Sequence, residues 1–375
     1  MQKLLTKFDY LLFEAYRISE KDLGLYRILF CTASFLFYGL AELTWIGLNP
    51  DYFFFPPVLS LSNFSSHIPP VAFFHILKTG ICLLYIMLLF GYHTKWVSLC
   101  LSAFLLTGYS YTYSFGKIDH NIMLVITPAI MAFSGWGNCY SIDETRQRKT
   151  DVNSWLVSFM AFAIGFAMFT ASVPKIVRGW LSFKTHVAKL YMEHSTVFYD
   201  GIRTKPLLYD YIITIKSPLF WESIDYMTVI FEFGFLIAVL SPLVYRGFIV
   251  AALFFHIFVY LTFQISFTEN LVVYALFINW GLFHSLINME KVKRIINLKG
   301  MAIGFVIAIL YSIYIHHETV KVRSPSIFKS FLGLFLSEDN AKLFEILLLF
   351  ASAIIICFHS VIKYFGRQEE QNSLR

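Results

Sequence analysis

Lys175 stands just after an apolar run, Trp155 to Val173, in the string ASVPKIVRGW, and Trp180 follows five residues later. Burying an ammonium near lipid costs free energy, and a buried lysine readily loses its proton. Such a lysine either snorkels its charge to water or serves as a general base. Other costly residues accompany it. Asp119, His120 and Asn121 precede an apolar run, and Glu42, His75, Lys78, Glu232 and His256 lie within others. Ionisable residues inside membrane segments are candidate functional sites. Each also has a structural role open to it. Asp119 can cap a helix, His120 can bond backbone, Glu42 can pair with Lys78, and His256 can be a satisfied core histidine. His316, His317 and Glu318 look like metal ligands, but adjacent histidines point to different helix faces, so no metal is expected. The chain has no GxSxG, no HExxH and no phosphate-cradling loop.

The elements that must hold these residues follow from composition. Of 375 residues only 14% are charged, against roughly 25% in soluble domains, and the mean hydropathy is +0.64. Phe alone has 41 copies, which suits lipid contact and interface belts. The composition predicts an all-α polytopic transmembrane bundle of about ten spans. They are expected at Leu25–Leu48, Val71–Tyr92, Trp96–Tyr113, Asn121–Trp136, Trp155–Val173, Ser223–Leu243, Phe248–Phe267, Asn270–Ile287, Gly300–Ile315 and Phe344–Ile362. The fourth is short enough to be tilted or re-entrant.

Lysine and arginine gather at alternate span ends: Lys3 to Lys21, Lys95, Arg146 to Lys149, Arg246, Lys291 to Lys299, and Lys363 with Arg367. The loop Asn49–Pro70 has none. By the positive-inside rule both termini are cytoplasmic. The segment Lys175–Trp221 then lies outside, and its mixture of aromatic, aliphatic and basic residues suggests interfacial helices on the outer face. Residues 1–24 read as a cytoplasmic segment without signal-peptide pattern, 25–295 as the main membrane domain, 296–365 as C-terminal transmembrane helices, and 366–375 as a disordered tail. Cys31, Cys82, Cys100, Cys139 and Cys357 form no CxxC and read as core thiols. The net charge of +6 forms no basic stripe, so no nucleic-acid partner is expected.

In this topology Lys175 and the Asp119–His120–Asn121 triplet share the outer end of adjacent antiparallel spans. Glu232 sits about nine residues, or roughly 13 Å, into the sixth span. The strings KIDHNIMLVITPAIMAFSGWGNCYSID and ASVPKIVRGW, with the early YRILF carrying Arg27, resemble the horizontally transferred transmembrane domain. That is the membrane domain of the vitamin K-dependent gamma-carboxylase family and of many bacterial proteins. The resemblance covers roughly Lys21 to Ile295. It maps the family's active-site lysine onto Lys175 and its active-site histidine onto His120. FFHIF resembles a later histidine helix and brings His256 to the same pocket, with Asp119, Asn121, Trp180 and Glu232.

The resemblance implies an enzyme in which the lysine deprotonates a reduced, vitamin K-like quinone. The quinol reacts with oxygen to give a strong base, which removes a glutamate γ proton before carbon dioxide adds. The implied partners are membrane lipids, a quinone and a peptide substrate, and the implied location is the inner (plasma) membrane of a bacterium. Two departures bear on the substrate. Pro174 stands where the carboxylase has a second lysine, and the residues after the eighth span are mostly apolar rather than a large soluble region. A non-catalytic lipid- or quinone-binding protein, a transporter and a scaffold for peptide export are the alternatives.

Overall fold

A computed structural model describes residues 2–37, 43–115, 121–146, 148, 152–199, 205–278, 280–318 and 335–373. The protein is 73% helical, with no strand among the described residues. In chain order the helices are α1 (Gln2–Phe13), α2 (Glu20–Phe37), α3 (Val71–Leu89), α4 (Thr94–Tyr113), α5 (Ile122–Met131), α6 (Ile142–Thr145), α7 (Trp155–Val177) and α8 (Val187–Tyr199). They continue as α9 (Tyr209–Ile213), α10 (Pro218–Ala238), α11 (Pro242–Phe263), α12 (Thr268–Tyr274), α13 (Gly281–Leu286), α14 (Met289–Ile295), α15 (Leu298–Glu318) and α16 (Glu338–Ser373). Contacts divide the chain into two compact units, each assembled from separated segments. One comprises Met1–Arg17, Ser158–Asn279 and Ile346–Arg375; the other comprises Ile18–Val157 and Trp280–Glu345.

Among the described residues three helices, α3, α7 and α11, are long and apolar enough to cross a membrane, with hydropathies of 2.0, 2.0 and 1.8. Helix α10 is of similar length but carries Glu222, Asp225 and Glu232. Its pattern is inside out. The three acids lie on the buried face, whereas Leu219, Met227, Ile230 and Ile237 are exposed. In water each such aliphatic side chain would forgo about 1.5–3 kcal/mol of burial. Lipid removes that penalty, so this helix suits a bilayer.

Several expected spans need correction. The fourth becomes the 10-residue α5 with Pro128 inside, roughly 15 Å long and too short to cross alone. The eighth is not one helix: α12 gives way to a 3-10 turn at Ala275–Phe277, Ile278 is extended, and α13 begins at Gly281. The fifth runs on through Pro174 and Lys175 to Val177, although Pro174 has no N–H to bond the carbonyl four residues back. Helix α16 continues to Ser373 through the segment read as a disordered tail, where the run of Gln and Glu favours helix. Cys31 and Cys82 are buried, but Cys100 is exposed on α4 rather than in the core.

In the unit containing α2 to α5, the motif GWGNCYSID is a folding knot. Arg27 is fully buried and donates to the carbonyls of Trp136 (2.8 Å), Cys139 (3.3 Å) and Tyr140 (2.5 Å). Ser141 caps α6 by accepting the Glu144 N–H. Asp143 caps α4 by accepting the N–H groups of His93 (3.0 Å) and Thr94 (2.7 Å). Both are acceptors supplied to orphan helix N–H groups.

In the other unit α7 packs closely on α10. A Cβ at Gly165 would meet Val239 at 2.7 Å and the Leu236 backbone at 3.3 Å, so only glycine permits the approach. Helices α8 and α9 fill the segment expected to hold interfacial helices. They bury Ala188, Met192, Tyr209 and Ile212 against Trp221 of α10.

Candidate functional site

The Gly165 contact sets where Lys175 arrives. Ten residues on from Gly165, α7 has risen roughly 15 Å. Glu232 lies four residues back from Leu236, or about 6 Å. Side chains on helices tilt toward their own N-termini. On these two helices that tilt brings a lysine and a glutamate together. Lys175 Nζ lies 2.5 Å from both Oε1 and Oε2 of Glu232, and it also donates to the Ala171 carbonyl at 3.3 Å. The carboxylate side chain is 7% exposed and the lysine side chain 23%.

The Lys-x4-Trp spacing has a local cause. Trp180 N–H bonds the Lys175 carbonyl at 3.1 Å, and Gly179 N–H bonds the Ile176 carbonyl at 3.2 Å. Gly179 has φ +81°. This is a Schellman C-cap, which brings its first residue against its sixth. Here those residues are Lys175 and Trp180, and Nζ sits 5.6 Å from the indole centroid. The lysine charge also complements the negative end of α7.

The remaining predicted residues divide. Glu232 joins Lys175 directly and Trp180 covers the pair. His256 is fully buried on α11 in the same unit; its Nε2 lies 3.0 Å from Tyr274 Oη, and its ring stacks on Phe267 at 4.3 Å. Asn121 belongs to the other unit, where it accepts a bond from the Tyr113 hydroxyl. Asp119, His120 and Glu42 lie outside the described residues, so the expected His120–Lys175 pocket falls there too. Lys78 is buried on α3. Among the described residues no three His, Cys, Asp or Glu side chains form a metal-ligand set.

Sequence reasoning missed Glu222 and Asp225. With Glu232 they stand at i, i+3 and i+10, a helix-face spacing readable from α10 itself. Each acid meets a different partner. Asp225 accepts the Val187 and Ala188 N–H groups (2.7 and 2.9 Å) at the start of α8. Glu222 Oε1 lies 2.8 Å from His186 Nδ1, without the alignment of a hydrogen bond. Glu232 takes Lys175. Chemically, the arrangement offers one buried acid–base pair beside an aromatic face, some 15 Å along α10 from Glu222. No family model, curated protein or solved structure matches the chain.

Proposed function

We propose that the chain is an integral membrane protein of about ten spans, both termini cytoplasmic, whose Lys175–Glu232 pair handles protons. The chemistry follows the carboxylase-like resemblance: deprotonation of a reduced quinone. The observation that carries the reading is a nearly buried carboxylate closed on a lysine at the end of an apolar helix. Buried ion pairs add little net stability over apolar packing. Such pairs therefore point to function as well as to structure.

The pair changes how the lysine acts. Lys175 Nζ is bound to both Glu232 oxygens, so any proton it takes or gives moves beside that carboxylate. As water leaves the site, the ammonium passes a proton to the carboxylate and both become neutral. The neutral amine then takes the quinol hydroxyl proton, leaving a quinolate beside an ammonium. The pair has gained one proton in all: the quinol proton sits on Lys175, and Glu232 keeps the proton that Lys175 gave it. Trp180 offers an aromatic face to the ring. Oxygen, carbon dioxide and a peptide glutamate enter only as the resemblance implies.

A second reading has its own observation. Nζ is satisfied by Glu232 and the Ala171 carbonyl, and the C-cap alone explains Trp180. The pair would then be a clamp between α7 and α10 in a lipid- or quinone-binding protein, transporter or scaffold. The test is oxygen-dependent oxidation of a reduced naphthoquinone by the purified protein. Turnover lost in Lys175→Ala supports the enzyme, and no turnover in the folded wild type supports the clamp.

A further inference from the structure

The basic loops that orient the chain meet at a pocket. Lys95, at the start of α4, and Arg148, beyond α6, line one cavity of 250 Å³ with His93, Trp96 and Asp143. The cavity is smaller than the roughly 300–1,000 Å³ of sites that enclose drug-sized ligands, so it fits a headgroup or a small ion. Arg148 Nη1 lies 2.8 Å from His93 Nε2, and His93 is held with φ +48°. Lys95 Nζ lies 4.9 Å from the Phe133 centroid and 5.7 Å from that of Trp96. Among the described residues neither cation has a carboxylate partner. Asp143 is the one acid in the lining; it is buried, and it spends its oxygens on His93 N–H and on the N–H and hydroxyl of Thr94. It therefore satisfies the helix terminus and leaves Lys95 and Arg148 to an outside ligand. Nearby Lys293 differs, lying 3.6 Å from Glu144.

We infer that Lys95 and Arg148 form a binding site for a phosphate-bearing anion. An arginine fork and a lysine point charge are complementary ways to hold phosphate oxygens. Trp96, 64% exposed at the cavity rim, is the residue type that anchors at headgroup level. By the loop-charge orientation this is the cytoplasmic face, where anionic lipid headgroups concentrate. The inference stands whether or not the Lys175–Glu232 pair is catalytic.

The test is binding to the full chain purified in dodecyl maltoside, measured by native mass spectrometry and titration calorimetry. The probes are dioctanoyl phosphatidylglycerol, dioctanoyl phosphatidylcholine and inorganic phosphate. One saturable phosphatidylglycerol site is expected, with phosphatidylcholine at least about tenfold weaker. Lys95→Gln and Arg148→Gln should each weaken it about tenfold, the scale of one charge-assisted hydrogen bond. Lys95→Arg should retain binding, and Lys293→Gln should change nothing. Inorganic phosphate binding as tightly as the lipid, with the same losses, identifies a soluble phosphate compound as the source. Lipid binding without phosphate binding identifies the headgroup. Equal binding of both lipids, no binding, or undiminished affinity in a folded Lys95→Gln/Arg148→Gln protein overturns the site.

Discussion

Replacing Glu232 with leucine should expose how strongly the two helices depend on the pair. At 4 Å and an effective dielectric near 20, unit charges attract by about 4 kcal/mol. Desolvating the almost buried carboxylate takes back several kcal/mol, so the net value of the intact pair is small. Breaking it is different, because Lys175 is left without its counter-charge against α10. Losses of about 3–5 kcal/mol are typical for fully buried pairs. The lysine side chain keeps 23% exposure and can turn partly to water, which places the loss near the low end, about 3 kcal/mol. At about 2–4 °C per kcal/mol, Glu232→Leu should lower the melting temperature by about 6–12 °C in detergent. Lys175→Met/Glu232→Leu should recover most of that, since apolar pairs of similar volume replace buried ion pairs at little cost. The assay is a thermal-melt double-mutant cycle with a coupling of about 2 kcal/mol. Additive losses, or a Glu232→Leu protein that melts like wild type, would refute the coupling and with it the assembly of α7 on α10.

Gly179→Ala should destabilise by about 1–2 kcal/mol, seen as a lower melting temperature, because alanine resists the left-handed backbone even though the nearest atom is 3.9 Å from its Cβ. Arg27→Lys should cost about 2–3 kcal/mol in the same assay, since a lysine cannot span three carbonyls from a buried position. In the loop before α3, the Ile68 N–H and then His67 hold the Asp51 carboxyl below the usual carboxylate range. A lowered folded pKa gives stability that is present above the ordinary Asp value of about 3.9 and lost as pH falls through the folded one. Protection of the Ile68 amide, corrected for intrinsic exchange, should therefore hold at pH 6 and fall away below pH 4.

The sequence made the membrane class and the helices α3, α4, α7 and α15 readable, because long apolar runs bounded by polar residues leave one solution. It misread the eighth span, since hydropathy counts apolar residues and does not register the backbone turn at Ile278. It identified Lys175, Trp180 and Glu232 singly. It did not pair Lys175 with Glu232, because the pairing depends on the depth at which Gly165 lets α7 meet α10, a tertiary quantity. It read Lys-x4-Trp as a chemical motif, although the same spacing is what a Schellman cap with Gly179 imposes. Glu222 and Asp225 were legible as an acidic helix face, but only once α10 was known to begin at Pro218.

The most direct test of the central claim is Lys175→Arg, measured for both melting temperature and oxygen-dependent quinol oxidation. Arginine keeps the charge and can grip Glu232 with two hydrogen bonds, so the clamp survives. It is far too weak an acid to give up its proton as lysine does. The account predicts a protein that melts within about 2 °C of wild type, since the pair is kept, and has lost quinol oxidation by about 10²–10⁴-fold, the usual contribution of a positioned acid–base group. A Lys175→Arg protein that melts normally and oxidises quinol at the wild-type rate would contradict it.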